Sequence, residues 1–494
     1  MASVVLIVCF SAVLSSSVSA ITLREAFAAA YAHNASLQAE RFKTRATDDG
    51  VSRALSGYRP RVNADAFYGG ASPSQTARTS TSSFSESYGY GVTIEQPLFD
   101  GFKTHYSVQE AEATVRASRE ELKAAENEIL FQTASAYMDV LRDEGINLYR
   151  RKTLSSLKRF LLGIEEQFER EQVTQTDVEQ ARLRVATAKS DVDGAKAQLR
   201  ISQLRFVKVT QRAADDLRMP ALPVALPNSL ESANELARHE SPIIAAATEQ
   251  HEAATQAVQK IRGELLPQAG LVAGYDKSFN DAETSVDRDG FSVFGRVRVP
   301  LYQGGEVSAR IRQAKNTAAG RNRETHAAVR RIDEAVGAAW AEFRAANAKV
   351  SSDKLAVGAS ERALTGVRDE QEFGRRTVLD VLDAERELIN ARIRLLESTR
   401  DQHVAAYLLL RSTGQLTIER MAPGTDQYDP RTYYAQVRDT WGGTTTPEAS
   451  AGHFLGANET GEAIAIGGRG NVDRPNGHAV GWSAEVHRVG AQGE

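Results

Sequence analysis

Apolar and polar residues recur along this chain with two periods, and each period keeps to its own blocks. Val62, Ala64, Ala66 and Tyr68 alternate with Arg61, Asn63 and Asp65; Tyr88, Tyr90, Val92 and Ile94 alternate with Gly89, Gly91, Thr93 and Glu95. A third row holds Ala269, Leu271, Ala273 and Tyr275. A fourth holds Phe291, Val293, Val297 and Val299, opposed by Ser292, Arg296 and Arg298. Period two predicts four β-strands, each with one apolar face. Each block runs about 9–11 residues, the length of a strand crossing a bilayer at a tilt. A soluble sandwich edge alternates in the same way, but four strands flanked by long helices make a poor sandwich.

The remaining blocks step by three and four. Val178, Ala181, Val185, Ala188, Val192, Ala195, Leu199 and Ser202 do so without a break, as do Val381, Ala384, Leu388, Ala391, Leu395 and Ser398. A further apolar stretch passes through Val108, Leu122 and Ile129 and continues to about Phe168 with no proline. A helix of about 67 residues at 1.5 Å each spans ~100 Å. Seam positions alternate large residues with Ala and Ser, which permits close helix approach. A solvated coiled coil explains these helices alone, but not the strands between them.

The blocks occur twice. Leu23-Arg24-Glu25-Ala26 has a partner in Leu230-Glu231-Ser232-Ala233, and Tyr58-Arg59-Pro60 in Leu265-Leu266-Pro267, both at an offset of 207. Beyond that the offset is 203: Gln96-Pro97-Leu98-Phe99-Asp100-Gly101 matches Val299-Pro300-Leu301-Tyr302-Gln303-Gly304, Tyr137 falls on Trp340, and Asp177-Val178 on Asp380-Val381. Ordered matches of this kind mark an internal duplication. Residues 21–220 and 221–417 each read as helix, strand, loop, strand, very long helix, turn and returning helix. Residues 418–494 are rich in Gly, Thr, Asn and Pro with no sustained period, which predicts a disordered, dispensable tail.

Composition narrows the class. The 494 residues carry 60 Lys and Arg against 64 Asp and Glu, so no basic excess points to nucleic acid. Mean hydropathy is −0.38, which excludes a multi-helix transporter but not a β-barrel, whose alternating strands leave little hydropathy trace. The one long apolar stretch, Val4 to about Leu14, is too short to span a bilayer. Val18-Ser19-Ala20 follows it, so residues 1–20 read as a secretory signal removed after Ala20, although no Lys or Arg precedes it. The single cysteine, Cys9, lies inside that segment, and Leu6-Ile7-Val8-Cys9 lacks the small residues of a lipoprotein site. No disulfide framework is expected.

The combination resembles the TolC family of outer-membrane channel proteins over about residues 21–417. The most specific match is Gly374-Arg375-Arg376-Thr377-Val378-Leu379-Asp380-Val381-Leu382-Asp383-Ala384, close to that family's G-x-R-T-x-x-D-V-L-D-A signature. Val173-Thr174-Gln175-Thr176-Asp177-Val178 is its first-copy relative. The resemblance implies an α+β membrane channel. Three protomers give four strands each to one twelve-stranded barrel in the outer membrane of a Gram-negative bacterium, continued by a long α-helical barrel in the periplasm. It also implies a homotrimer that works with a periplasmic adaptor and an inner-membrane RND or ABC transporter, in multidrug efflux or type I secretion. Independently, four strands cannot close around a pore whereas twelve can, and an open sheet in lipid leaves its edges unpaired.

Thr174-x-x-Asp177 and Thr377-x-x-Asp380 are both capping-box-like, placed where each returning helix begins. Asp383 has Gln180 as its first-copy counterpart, so helix-start chemistry does not account for it. Asp380 and Asp383 are three apart and share a helix face. In a trimer they make up to six carboxylates, expected to favour cations and to raise the pKa of some members by mutual repulsion. By resemblance they form the entrance constriction. By the same resemblance Arg376, which replaces Val173 of the first copy, latches the closed entrance to Thr176 and Asp177 of a neighbouring helix pair. A solvated arginine at a turn is the plain alternative. Gly374 suits the left-handed residue that ends a helix. Tyr88, Tyr90, Tyr275, Phe279 and Phe291 suit an interfacial girdle or core packing.

Catalytic and cofactor motifs are absent. No Walker A loop, H-E-x-x-H or G-x-S-x-G occurs, and the nine histidines have no metal-ligand spacing. Ser155-Ser156-Leu157-Lys158 matches S-x-x-K without its partner motifs. Asn34-Ala35-Ser36 is a sequon only in a host that glycosylates it. The expected function is an outer-membrane exit duct, with no enzyme activity, cofactor or metal. A secreted coiled-coil adhesin shares the heptads but has no use for paired strands, and a periplasmic binding module or enzyme needs a pocket of convergent polar groups.

Overall fold

In the computed structural model, residues 21–71, 85–223, 226–279 and 287–447 are described. The expected signal segment and residues 448–494 lie outside them. The first copy comprises α1 (Leu23–His33), α2 (Ala35–Leu55), β1 (Arg61–Ala71), β2 (Ser85–Phe99), α3 (Lys103–Glu169) and α4 (Gln175–Thr210). The second comprises α5 (Leu230–Glu240), α6 (Pro242–Gly263), β3 (Gln268–Phe279), β4 (Arg288–Arg298), α7 (Glu306–Glu372) and α8 (Val378–Ser412). Two helices precede each strand pair where the sequence suggested one. Asn34 breaks the first, its side chain accepting from the Ser36 and Leu37 amides. Ser241, followed by a proline, breaks the second. Asn34 is buried and its amide donates to the Val209 carbonyl, so the sequon is occupied by packing.

The duplication extends to the backbone. Left-handed residues occur at Gly101 and Gly304, Phe102 and Gly305, Glu171 and Gly374, and Gln211 and Gly414. Each pair is 203 positions apart, as 304 is from 101. They mark the same three corners in each copy: strand to long helix, long helix to returning helix, and the end of the returning helix. Gly101 has no alternative, because a Cβ there would meet the Gly263 carbonyl oxygen at 2.2 Å.

The sheet is antiparallel in the order β1-β2-β3-β4, and its register separates two chemistries. Ala64, Val92, Tyr275 and Phe291 lie opposite one another across all four strands, and so do Val62, Ile94, Ala273 and Val293. On the other face run Asn63, Thr93, Gly274 and Ser292, then Asp65, Gly91, Asp276 and Gly290. Within the chain the apolar rungs are uncovered; Val62 and Phe291 are 63% and 75% exposed. Tyr68, Tyr88 and Phe279 form an aromatic rung at the far end, with Tyr88 and Phe279 stacked at 4.9 Å. Leu98, Leu301 and Tyr302 are exposed at the near end. The ten steps from Tyr88 to Leu98 cover about 33 Å of strand, or ~24 Å at a barrel tilt, matching a ~25 Å apolar band.

α3 and α7 are long because each serves two neighbourhoods. Near the sheet, α3 meets α6 through Arg116 to Glu249 at 2.8 Å and Lys260 to Glu110, and Arg310 of α7 pairs with Glu264, the residue that caps α6. Farther away α3 packs on α4 and α8, and α7 on α8. Pairing there is sequential, α4 with α3, α3 with α8 and α8 with α7, so the four helices lie side by side. The main core fills the middle, where Phe27, Leu130, Tyr137, Phe206 and Leu410 are buried together. Trp340, the counterpart of Tyr137, packs on a second cluster around Val336 and Leu409.

The tail departs from expectation. Residues 418–447 are not loose: α9 (Ile418–Met421) packs on α1 and α10 (Pro430–Val437) on α2, and Tyr434 and Arg438 reach Arg119 and Glu112 of α3. Few aromatics do this, which is why no period announced it. The Tyr428, Tyr434 and Trp441 rings lie 5.0–5.2 Å from the Arg41, Arg119 and Arg59 guanidinium carbons respectively. The Tyr433 hydroxyl donates to Asp49 at 3.1 Å. Beneath this strap Asp48 is fully buried with neither carboxylate oxygen hydrogen-bonded, and Arg119 stands 3.7 Å away. Burial pushes the Asp48 pKa up to about 6.

Two outcomes follow from the strap. Ending the chain after Thr417 should lower the thermal unfolding midpoint seen by circular dichroism, and Tyr433→Ala alone should cost about 2–4 kcal/mol. The Asp48 pKa is higher folded than unfolded, so ionisation costs stability as pH rises from about 4 to 6. Asp48→Asn should therefore stabilise the protein at pH 7 and make little difference at pH 4.

Candidate functional site

The end of the helical layer remote from the sheet is made by two turns, α3 to α4 and α7 to α8. Each is built from one helix stop and one helix start. At the second, Gly374 at φ +70° follows α7; its amide bonds to the Gln371 carbonyl and that of Arg375 to the Glu370 carbonyl. This double bond satisfies carbonyls that the helix end would leave open. The first turn has the same pattern, with Glu171 to Phe168 and Gln172 to Gln167, but a glutamate holds the left-handed position at φ +58°.

Both returning helices start with complete capping boxes. The Thr174 and Thr377 hydroxyls accept from the Asp177 and Asp380 amides, and each aspartate accepts from its threonine's amide at 2.9 Å. Hydrogen bonds from the threonine backbone and hydroxyl hold both aspartate pKa values below the usual carboxylate value. For Asp380 this differs from the rise expected of crowded carboxylates; within one chain capping decides the direction. Both bonds land on Oδ2 in each case, so Oδ1 faces away from the cap.

Arg376 and its expected partners are not brought together within the chain. Its Nε donates to Glu370 Oε2 at 2.8 Å, six residues back across its own turn. A partner six positions away costs less ordering than one on another hairpin. Thr176 is exposed in the first turn of α4, and Asp177 is engaged by Thr174. Asp383 lies 3.3 Å from Arg184 Nη1 on α4 and 3.6 Å from Arg386. One residue pair further on, Glu385 accepts from Ser156 of α3 at 3.3 Å and from Arg368 of α7 at 2.5 Å. Ser155, the serine of the S-x-x-K match, lies mid-helix and accepts from Arg159 at 3.2 Å one turn on.

Set against known proteins, both halves of the chain match the outer membrane efflux protein family, over residues 27–210 and 234–415. The chain belongs to that family. It is 32% identical over 428 residues to the outer membrane efflux protein BepC of Brucella suis, covering 86% of this chain and 92% of BepC. It is 27% identical over 336 residues to the alkaline protease secretion protein AprF of Pseudomonas aeruginosa, covering 66% and 69%. Among solved structures, the Campylobacter jejuni CmeC outer membrane channel superposes with a TM-score of 0.72 at 15% identity, over 84% of this chain and 89% of CmeC. The paired strands and paired long helices are thus the fold of TolC-type channels, and this efflux protein is placed in the outer membrane of a Gram-negative bacterium.

The efflux protein's helices are also joined by a cluster that sequence reading missed. Asp139 accepts from Arg400 at 2.8 Å and Arg142 at 3.1 Å, while Asp143 accepts from Arg142 at 2.7 Å and Ser202 at 2.8 Å. The cluster is largely buried and fastens α3 to α4 and α8. Acidic residues at 139 and 143 on a seam-facing helix stripe were the available signal, since unpaired charges there would be costly.

The two turns offer direct tests. Glu171→Gly should stabilise the first turn by about 1 kcal/mol and Gly374→Ala should destabilise the second by a similar amount, because only glycine holds φ near +60° without strain. Hydrogen exchange at the turn amides reads both. The caps act fully above pH 3.8, the ordinary aspartate value, and are lost as pH falls through the lower folded-state values. Exchange at these turns should accelerate only below that point.

Proposed function

We propose that three copies of this efflux protein close a twelve-stranded barrel in the outer membrane and continue it through the periplasm as a hollow α-helical tunnel. The sheet carries this reading. Two apolar rungs cross its exposed face, polar rungs line the other, and β1 and β4 have no outer partner among the described residues. Threefold closure pairs β4 of one protomer with β1 of the next and leaves no edge in lipid. The helical layer has matching edges: on α4 Leu183 and Leu204 are exposed, and on α7 Leu355 is 75% exposed.

The duct is passive. A periplasmic adaptor engages the helix turns, and an inner-membrane RND or ABC transporter supplies the energy; the chain works as a conduit and not as an enzyme. Relatives named for efflux and for protease secretion support a duct of this kind without choosing the cargo. Asp380 and Asp383 form the acidic entrance. Arg376 latches it to Thr176 and Asp177 of a neighbouring hairpin, using the Asp177 Oδ1 that the cap leaves available.

Extraction should give a trimer that migrates as one band on gels until heated. Its conductance in planar bilayers should be small and cation-selective. Replacing Asp380 and Asp383 together with alanine should shift the reversal potential in a salt gradient toward zero. Arg376→Ser should raise conductance with normal trimer yield, whereas wild-type conductance would remove the latch.

A further inference from the structure

At its near end the polar face of the sheet becomes basic. Arg61, Glu95, Val272 and Phe294 share a rung, and Arg296 and Arg298 stand opposite Gly270 and Gln268 on the next two. These arginines continue the side of β1 and β4 that carries Asn63 and Ser292, away from the apolar rungs. Between this end of the sheet and the adjoining helices lies an open recess of about 470 Å³. Five cations line it: Arg61, Arg296 and Arg298 from the strands, Arg53 from α2 and Lys103 from the start of α3. Among the described residues none of the five stands in an ion pair, although elsewhere near the sheet Lys260 and Arg310 are matched to Glu110 and Glu264. Two carboxylates reach the recess, Glu95 and Asp100. Asp100 is already engaged, accepting from the Thr104 amide at 2.7 Å and from the Thr104 hydroxyl. Positive charge is therefore left in excess.

We infer that this recess binds an anionic group with several acceptor oxygens, a phosphate, sulfate or polycarboxylate, taken from solution. Like charges gathered in a concave site focus a positive potential there, and an anion is the partner that the chain itself does not supply. Arginine suits such a ligand, because each planar fork gives two parallel bonds to an oxyanion. The position of the recess adds a consequence. On the channel reading, on which the location rests but the binding does not, the polar face of the sheet is the lumen wall. The recess then lies where tunnel meets barrel, at the opposite end of the helical layer from Asp380 and Asp383. An anion held there obstructs the bore, while the acidic entrance keeps its own preference for cations. Cargo bearing such a group is held on the exit side of the duct.

Pyrophosphate is the probe, added to the detergent-extracted full chain at an ionic strength held constant with sodium chloride. It should raise the thermal unfolding midpoint and bind saturably in a calorimetric titration. Arg61→Gln combined with Arg298→Gln should weaken binding about ten-fold or more, as the loss of two charge-assisted contacts implies. Arg61→Lys combined with Arg298→Lys, which keeps the charge and removes the forks, should retain part of it. Arg310→Gln, which alters a cation that has its own carboxylate, should leave it unchanged. Circular dichroism reports the fold of each variant. In planar bilayers of neutral phospholipid, pyrophosphate on the barrel side should lower the wild-type single-channel current. The double glutamine variant should escape this block and keep its cation preference. An absence of saturable binding, or binding that the folded double glutamine variant retains in full, overturns the site. Binding without block overturns its place in the lumen, and a block that requires anionic lipid in the bilayer assigns these arginines to headgroups instead. A chain that binds pyrophosphate but forms no conducting trimer removes the channel reading and leaves the site standing.

Discussion

Everything in this protein depends on what happens to the backbone hydrogen bonds at the edges of its sheet. In hydrocarbon an unpaired N–H or carbonyl costs several kcal/mol, and β1 and β4 each present a full row of them. Their side chains forbid the ordinary remedy of turning the edges to water, because the rungs through Val92, Tyr275 and Phe291 are apolar on the exposed face. A sheet with that pattern is stable only when its ends are joined by further strands. The proposed trimer joins them symmetrically and, unlike an eight-stranded dimer whose interior side chains would fill, leaves room for a channel; the side-by-side helices below inherit the same symmetry.

Duplication makes this economical. One unit supplies two strands and a pair of long helices, and the corners of both copies use left-handed residues at equivalent positions. The copies differ in charge at their turns. The second turn has glycine, Arg376 and Asp383; the first has Glu171, Val173 and Gln180 in the equivalent places. Both turns carry ionic groups beyond their caps, but in different places: Arg376 and Asp383 at the second, Glu171 and the Arg182 pairs at the first.

Strength is graded along the helices. Near the middle, buried aromatic and leucine side chains, the Asp139–Arg400 cluster and the C-terminal strap fix the elements. Toward the turns burial falls away, and partly exposed ion pairs take over. Buried networks resist separation, whereas exposed pairs exchange readily with water.

The sequence by itself determined the features that depend on neighbours a few residues apart. Strand alternation, heptad helices, the duplication and the Thr174 and Thr377 capping boxes were legible because each is a local period or spacing, and the family signature from Gly374 to Ala384 led to the channel fold. Tertiary structure decided what depends on register between distant segments. Arg184 meets Asp383 across 199 positions, Arg400 meets Asp139 across 261, and Tyr433 meets Asp49 across 384. The strap was misread for the same reason: it is held by a handful of aromatic rings on arginines of α2, α3 and the segment before β1, and such pairs leave no period in their own segment. Arg376 shows the converse. Its chemistry was legible, but its choice of Glu370 within the chain follows from the shape of a turn that composition alone does not specify.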